Sequence, residues 1–280
     1  MRASVACAPA VARRAVLFAV CCLALLGSAS GVRAVDDLSP EKSPLHNGGF
    51  LRRVSITPEK KEPQAERAAE DEGLLQRHGR QNVPDITISY PVIGHTAVDE
   101  DVRRWVNSIA DTFETEMSSL FRDSETLGET LDMSRYALHG SYSVLRPSQD
   151  AVSLVFEIWT YTGGAHGNLD IITLNYSLIT GQRLNFVDIF EDVDKALSLL
   201  SEQSRKVLSR RLAGGRMDQW ILDGTTQAVE NFSSLGLTRQ GVRVYFQPYQ
   251  VAAWAAGAQE VDIPLDDLMP AKPFLKLWDK

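Results

Sequence analysis

Two stretches concentrate the side chains able to do chemistry or to grip a ligand. The first, Trp159-Thr-Tyr-Thr-Gly-Gly-Ala-His-Gly-Asn168, sets a phenol, an imidazole and a carboxamide among glycines. Glycine permits positive φ and close backbone approach, so this loop could present Tyr161, His166 and Asn168 to a partner or cup an anion on its amides. An imidazole is also suited to metal ligation or general-base work, and Asp170 or Asp188 is the acidic neighbour that a hydrolase centred on His166 would use. The same residues equally describe a turn that the imidazole locks by hydrogen bonding to backbone. The second stretch, Phe246-Gln-Pro-Tyr-Gln-Val-Ala-Ala-Trp-Ala-Ala-Gly257, mixes proline, rings and small residues. It predicts a rigid loop whose Pro248, Tyr249 and Trp254 either contact a partner, as amphipathic rings do at binding hot spots, or close the core.

Other templates fail. The chain has no HExxH, GxSxG, Walker or SxxK pattern, so no catalytic residue, metal site or cofactor is assigned and a non-enzymatic role is expected. Asp188, Glu191, Asp192 and Asp194 crowd a helix start, where carboxylates cap the helix and oppose its dipole. That placement speaks against a glycosidase pair. His46 and His78 fall in a polar spacer, His95 precedes a helix, and His139 alternates onto the strand face opposite Leu138, toward solvent.

The elements that must hold these loops follow from periodicity. Ile86, Ile88 and Tyr90 share one face of a strand in which Pro91 marks an edge or a bulge. Thr96-Ala-Val-Asp99 resembles a capping box, and Val98, Val102, Trp105, Ile109, Phe113 and Met117 follow at helical spacing. Period-two segments then run over 136–144, 152–158, 169–178 and 183–187, with short turns that predict a four-stranded antiparallel meander. Val193, Leu197, Leu200 and Leu208 predict a helix begun at Asp192 or Asp194, and Met217, Trp220 or Ile221 and Phe232 a weaker one. Strands return at 242–246 and 261–263. The class is α+β, with antiparallel meander sheets and packed helices in two small lobes, 83–167 and 168–270, and a tail over 271–280.

Upstream, Arg13 and Arg14 precede the uncharged run from Ala15 to Val32, and Val32-Arg33-Ala34 supplies a cleavage site after Ala34. This is the layout of a signal peptide over 1–34. An uncleaved anchor would export the same downstream residues and would be the chain's one tie to a membrane. Cys7, Cys21 and Cys22 all lie in the signal, so the exported chain has no thiol chemistry. Residues 35–82, rich in charge, proline and glutamine with no apolar period, read as a disordered tether. Residues 85–280 hold 17 basic and 27 acidic side chains, a net −10. A surface of that sign excludes a phosphate-tracking nucleic-acid binder and suits a basic partner.

In order along the chain, Tyr161-Thr-Gly-Gly-Ala-His-Gly-Asn168, Leu178-Ile-Thr-Gly-Gln182 with Leu184-Asn-Phe-Val-Asp-Ile-Phe190, and Phe246-Gln-Pro-Tyr249 through Glu260-Val-Asp-Ile-Pro264 resemble the paired extracytoplasmic domains of unknown function in RsiV-like proteins. Ile88-Ser-Tyr-Pro-Val92 fits as well, and the resemblance covers roughly 83–268. It implies an envelope-facing recognition module, since such domains occur in a lysozyme-binding anti-sigma factor and in a peptidoglycan deacetylase. The chain departs from both, with too few residues before the apolar run for a sigma-binding domain and no deacetylase domain after Lys280. The expectation is a periplasmic or secreted binding protein for a cell-wall-associated ligand, a lysozyme-like protein or a peptidoglycan fragment. Its contacts would be Tyr161, His166, Asn168, Pro248, Tyr249 and Trp254. A wall-modifying hydrolase centred on His166 and an envelope scaffold or chaperone-like protein are the alternatives.

Overall fold

The computed structural model describes residues 71–77, 83–126 and 131–280; the signal over 1–34 and most of the tether lie outside them. β1 (Asp71–Arg77) pairs antiparallel with β2 (Asp85–Val92), and α1 (Thr96–Thr126) carries the chain over to β3 (Ala137–Leu145), which lies parallel to β2. β4 (Ala151–Tyr161) and β5 (Asn168–Ser177) complete a sheet of order β1-β2-β3-β4-β5. α2 (Phe186–Ile189), α3 (Val193–Leu212) and α4 (Gln219–Gly224) lead to a second sheet of β6 (Leu235–Thr238), β7 (Gly241–Phe246) and β8 (Gln259–Pro264), followed by α5 (Leu265–Leu268). The class is mixed α and β, with two sheets and several helices.

Each sheet has its own core. α1 lays Val98, Val102, Val106, Ala110, Phe113 and Met117 against Ile86, Ile88, Leu138, Leu154, Phe156 and Ile158 on one face of the first sheet. Trp105 and Ile109, expected at the centre of the helical stripe, flank it half-buried, and Trp105 packs on Phe156. Asp99 does not act in a capping box begun at Thr96. Its carboxylate turns back to accept from the amides of Ile93 (2.7 Å) and Gly94 (3.1 Å), an anion at the positive end of the helix. In the second core α3 covers Leu235, Leu237, Val242, Val244, Val261 and Ile263. Asp192 is the residue that caps α3, accepting from Lys195 N at 2.9 Å.

Several expectations give way to tertiary detail. Asp71–Arg77, read as tether from its charge, is an edge strand. An edge strand buries little: Leu75 packs against the first core, and Arg77 clamps α1 through Asp111 and Glu114, each at 2.7 Å. The first sheet is therefore not a pure meander, because α1 forces a parallel pairing of β2 with β3. Residues 183–187 form no strand; a single bridge joins Arg183 to Tyr176, and Asp188 then caps α2 by accepting from Asn185 N at 2.8 Å. β5, placed with a second lobe, belongs to the first sheet. The weaker helix expected over Met217 to Phe232 is split in two, α4 over Gln219–Gly224 and a 3-10 helix over Val229–Phe232 that leads into β6. The 271–280 segment is no free tail, since Trp278 is buried and donates its indole N–H to Thr238 O (2.9 Å) and Gly241 O (3.1 Å).

The two sheets meet where β6 lies on the back of the first, the face opposite α1. Val155, Ile171 and Tyr245 are buried there beside Leu145. Around them the seam is polar. Thr173 Oγ1 and Asn175 Nδ2 both donate to Leu235 O (2.9 and 2.8 Å), Leu237 N donates to Ser153 Oγ (2.8 Å), and Ser234 Oγ donates to Ile171 O (2.6 Å). Side chains of one sheet thus pair the free backbone edge of the other, as every buried edge requires.

One charge cluster fastens α1 to β5. Asp101 accepts from the Tyr176 hydroxyl (2.9 Å), Arg183 Nε and Arg104 (3.0 Å). Burial disfavours its ionised form, but the bonds from Arg104, Arg183 and Tyr176 outweigh that and hold the carboxyl below its ordinary 3.8. Burial, partly offset by Arg183, pushes the Tyr176 hydroxyl up, so it stays a donor. A carboxyl depressed on folding stabilises at pH values above its unfolded value and loses that stabilisation as pH falls through its folded value. Asp101→Asn should therefore cost about 1–3 kcal/mol at neutral pH. Denaturant unfolding of wild type and variant at pH 7 and below pH ~4 should show the gap closing in acid.

Candidate functional site

β4 delivers Tyr161 to the start of a loop that ends where Asn168 opens β5. Gly163 has φ 90° and sits against the Tyr136 hydroxyl, and Tyr161 OH donates to Gly164 O at 3.0 Å. Gly167 is buried directly on the Trp159 indole, where a methyl group would overlap the ring. That close approach is what the glycine permits. His166 Nδ1 lies 2.9 Å from Gly167 O. A carbonyl only accepts, so this nitrogen carries the proton. The exposed imidazole is outside any hydrogen bond to Asp170 or Asp188 among the described residues. Nor do three His, Asp or Glu side chains gather as a metal site among those residues.

The second loop is anchored by two glutamines. Gln247 pairs with the backbone of Ile171 as a strand would: Oε1 accepts from Ile171 N (2.8 Å) and Nε2 donates to Ile171 O (2.6 Å) and to Ser234 Oγ (3.2 Å). Gln250 Oε1 accepts from Gln247 N (2.9 Å), and its Nε2 donates to Gly224 O and Asn231 O, both at 3.0 Å. Between them Gln250 N donates to Gln247 O at 3.0 Å, closing a β-turn over Gln247-Pro-Tyr-Gln250. Pro248 suits the second position of such a turn, while the third takes positive φ and ordinarily carries glycine or asparagine. Tyr249 occupies it at φ 70°, with a ring 51% exposed. Trp220 Nε1 donates to Tyr249 O at 2.6 Å and holds the turn.

These anchors bring the two loops together. The His166 imidazole stacks on Trp254 with ring centres 4.5 Å apart and planes 17° from parallel, and Trp254 meets Tyr249 at 5.7 Å. Tyr161 joins the same surface through Trp159, 6.2 Å away, with Gly167 seated on the indole. Of the six candidate residues, His166, Tyr249 and Trp254 touch in one chain of rings, and Tyr161 adjoins it. Asn168 contributes the first residue of β5, and Pro248 shapes the turn; neither shares a ring contact. The sequence reading missed Gln247 and Gln250, whose amides decide the loop's seat, and Trp220, which is 42% exposed beside a buried Ile221. Trp159 carried a signal: it alternates out of phase with the core residues Phe156 and Ile158.

Comparison with known proteins follows this division. Residues 78–169 match the family model described as deacetylase PdaC, and 187–266 the one described as a protein of unknown function, DUF3298. Over 176 residues, 63% of this chain, the sequence is 27% identical to the peptidoglycan-N-acetylmuramic acid deacetylase PdaC of Bacillus subtilis (strain 168), of which the match spans 36%. A solved DUF3298 family member from Bacteroides fragilis covers 72% of this chain over 92% of its own, at TM-score 0.50 and 16% identity. A DUF3298 family protein from Pseudomonas aeruginosa covers 75% over 94% of its own, at TM-score 0.46 and 16% identity. The Bacteroides likeness is one of fold. The chain is thus similar to two domain models in tandem, PdaC over most of the first sheet with its helix and DUF3298 over the second core.

Proposed function

We propose that the folded part of this chain is an exported, non-enzymatic recognition module of the cell envelope that binds a lysozyme-like protein through Tyr249, Trp254 and His166. The observation that carries this reading is Tyr249, a bulky residue held at positive φ with its ring half in solvent. A backbone that stores strain to keep a ring exposed is a mark of a binding position rather than of packing. The stack of His166 on Trp254 gives that ring a rigid neighbour and leaves the imidazole without a carboxylate to act with. The likeness to part of a peptidoglycan deacetylase supports a wall-associated ligand, and the RsiV-like motif series supports a protein that acts on the wall. The net −10 over 85–280 favours a basic partner by long-range steering.

Calorimetric titration of the exported chain, Val35 to Lys280, with a c-type lysozyme is the test. A saturable heat is expected whose association rate falls as salt rises while binding persists at moderate ionic strength. No heat at high concentration, or binding that vanishes at moderate salt, would overturn the reading.

A further inference from the structure

β1 ends the first sheet, and the direction of its outward bonds follows from its neighbours. Asp85 N donates to Tyr136 O beside β3, so Asp85 and every second residue after it face β3, while Ile86, Ile88 and Tyr90 turn their backbone groups toward β1. Their partners Arg77, Leu75 and Gly73 are thereby paired. Pro91, opposite Glu72, has no amide to give and fits this phase. The N–H and C=O groups of Glu72, Leu74 and Gln76 therefore point out of the sheet, and no hydrogen bond among the described residues reaches them. Their side chains are exposed, Leu74 to 53%, on the face away from α1. Edges of this kind are ordinarily guarded by a lysine, a proline or a bulge. β1 has none of these, and Glu72 is the one charge among its outward residues.

What fits this edge is set by its own sequence. Antiparallel pairing about a two-fold axis at Leu74 opposes Leu74 to its copy and Glu72 to Gln76, so every outward residue meets an outward residue and each pair exchanges its N–H and C=O bonds. A slip of two residues loses one of these pairs, and a slip of one turns outward groups against inward ones. The side chains agree with the central register. Leucine packs on leucine, the Glu72 carboxylate meets the donor end of the Gln76 amide, and Gly73 opposite Leu75 leaves that side chain room on the α1 face. The two Glu72 residues stand about 14 Å apart, beyond the screening length at physiological salt.

We propose that β1 pairs with β1 of a second copy of this chain, antiparallel about Leu74, joining two first sheets into one. The pairing uses none of the residues assigned to the lysozyme-like partner, and failure of either reading leaves the other standing. Because the axis reverses strand direction, it sets two copies of the loop after β4 at opposite ends of the joined sheet, a bivalent arrangement. A contact over one seven-residue edge is smaller than the ~1,600 Å² of a standard interface and belongs at the micromolar end of affinity or weaker.

Sedimentation velocity of the exported chain, Val35 to Lys280, over a concentration series is the test, with hydrogen exchange followed across the same series. A reversible monomer–dimer equilibrium is expected. The amides of Glu72, Leu74 and Gln76 should exchange more slowly as concentration rises, while those of Gly73, Leu75 and Arg77 change far less. Leu74→Pro removes an amide that β2 does not use, so β1 should stay in its sheet and the dimer should be lost. Gln76→Lys sets a cation opposite Glu72 twice per dimer and should tighten it roughly two- to thirtyfold, whereas Gln76→Glu should weaken it by as much. A monomer at every concentration, an unchanged dimer in folded Leu74→Pro, or the same response to both Gln76 variants would each overturn the proposal. Protection at Leu74 that is independent of concentration would do so too, since residues of the same chain would then cover the edge.

Discussion

Tyr249→Asn should bind the proposed lysozyme-like partner about thirtyfold more weakly or worse, yet unfold at the same denaturant concentration as wild type or a higher one. The two effects separate because Tyr249 does different things in the free and bound protein. In the free protein its φ of 70° puts a bulky side chain in the left-handed region, which costs a non-glycine residue about 1–2 kcal/mol. Asparagine adopts that region more readily. The turn keeps its Gln250 N to Gln247 O bond and the Trp220 clasp, since both use Tyr249's backbone or its neighbours. What disappears is a ring 51% exposed and in contact with Trp254. Tyr249→Phe retains the ring and the strain, so it should keep most of the affinity. A Tyr249→Asn variant that is clearly less stable, or one that binds as wild type, would show that the ring serves packing.

The second large effect belongs to Gln247. Gln247→Ala should destabilise the fold by roughly 1–3 kcal/mol, the cost of one buried unpaired group, because Ile171, 4% exposed, loses the acceptor for its N–H while its C=O keeps the Ser234 hydroxyl. Gln247→Glu is the informative companion. It keeps an acceptor for Ile171 N but turns an anion toward Ile171 O and removes the donor to Ser234, so it should be no better than alanine. Denaturant unfolding measures the cost, and hydrogen exchange at the Ile171 amide should rise in Gln247→Ala relative to the rest of β5. Partner affinity should also fall in whatever fraction stays folded, since Gln247 seats the loop that carries Trp254 against His166. Unchanged exchange at Ile171 would mean that another group pairs this backbone.

The two predictions share a physical root in bonds between residues distant in sequence. Gln247 and Ile171 are 76 positions apart, and Trp220 and Tyr249 are 29 apart. Neither pair leaves a local pattern. The Phe246-Gln-Pro-Tyr249 motif was legible as a rigid loop because proline fixes φ. That its glutamine imitates a strand partner was not, since a glutamine side chain reads the same wherever its amide ends up. Likewise β1 was invisible because an edge strand is held by backbone pairing to β2 and by Arg77 on α1, with few apolar residues to show a period.

The sequence by itself determined α1, β2 to β5, α3, β7 and β8. Each lays one apolar set against a core at a period of 3.6 or 2, and that period is visible in the residues even where, as in β4 and β7, the second face is also covered. It also marked where glycine was needed, because Gly163 takes a conformation that other residues rarely adopt and Gly167 meets the Trp159 ring. Only the tertiary structure decided that β5 joins the first sheet, that β6 lies across its back, and that the loops after β4 and β7 meet ring to ring at His166 and Trp254. Those outcomes depend on long-range hydrogen bonds and on which surfaces remain uncovered once the sheets have met, quantities that belong to the folded chain and to no segment of it.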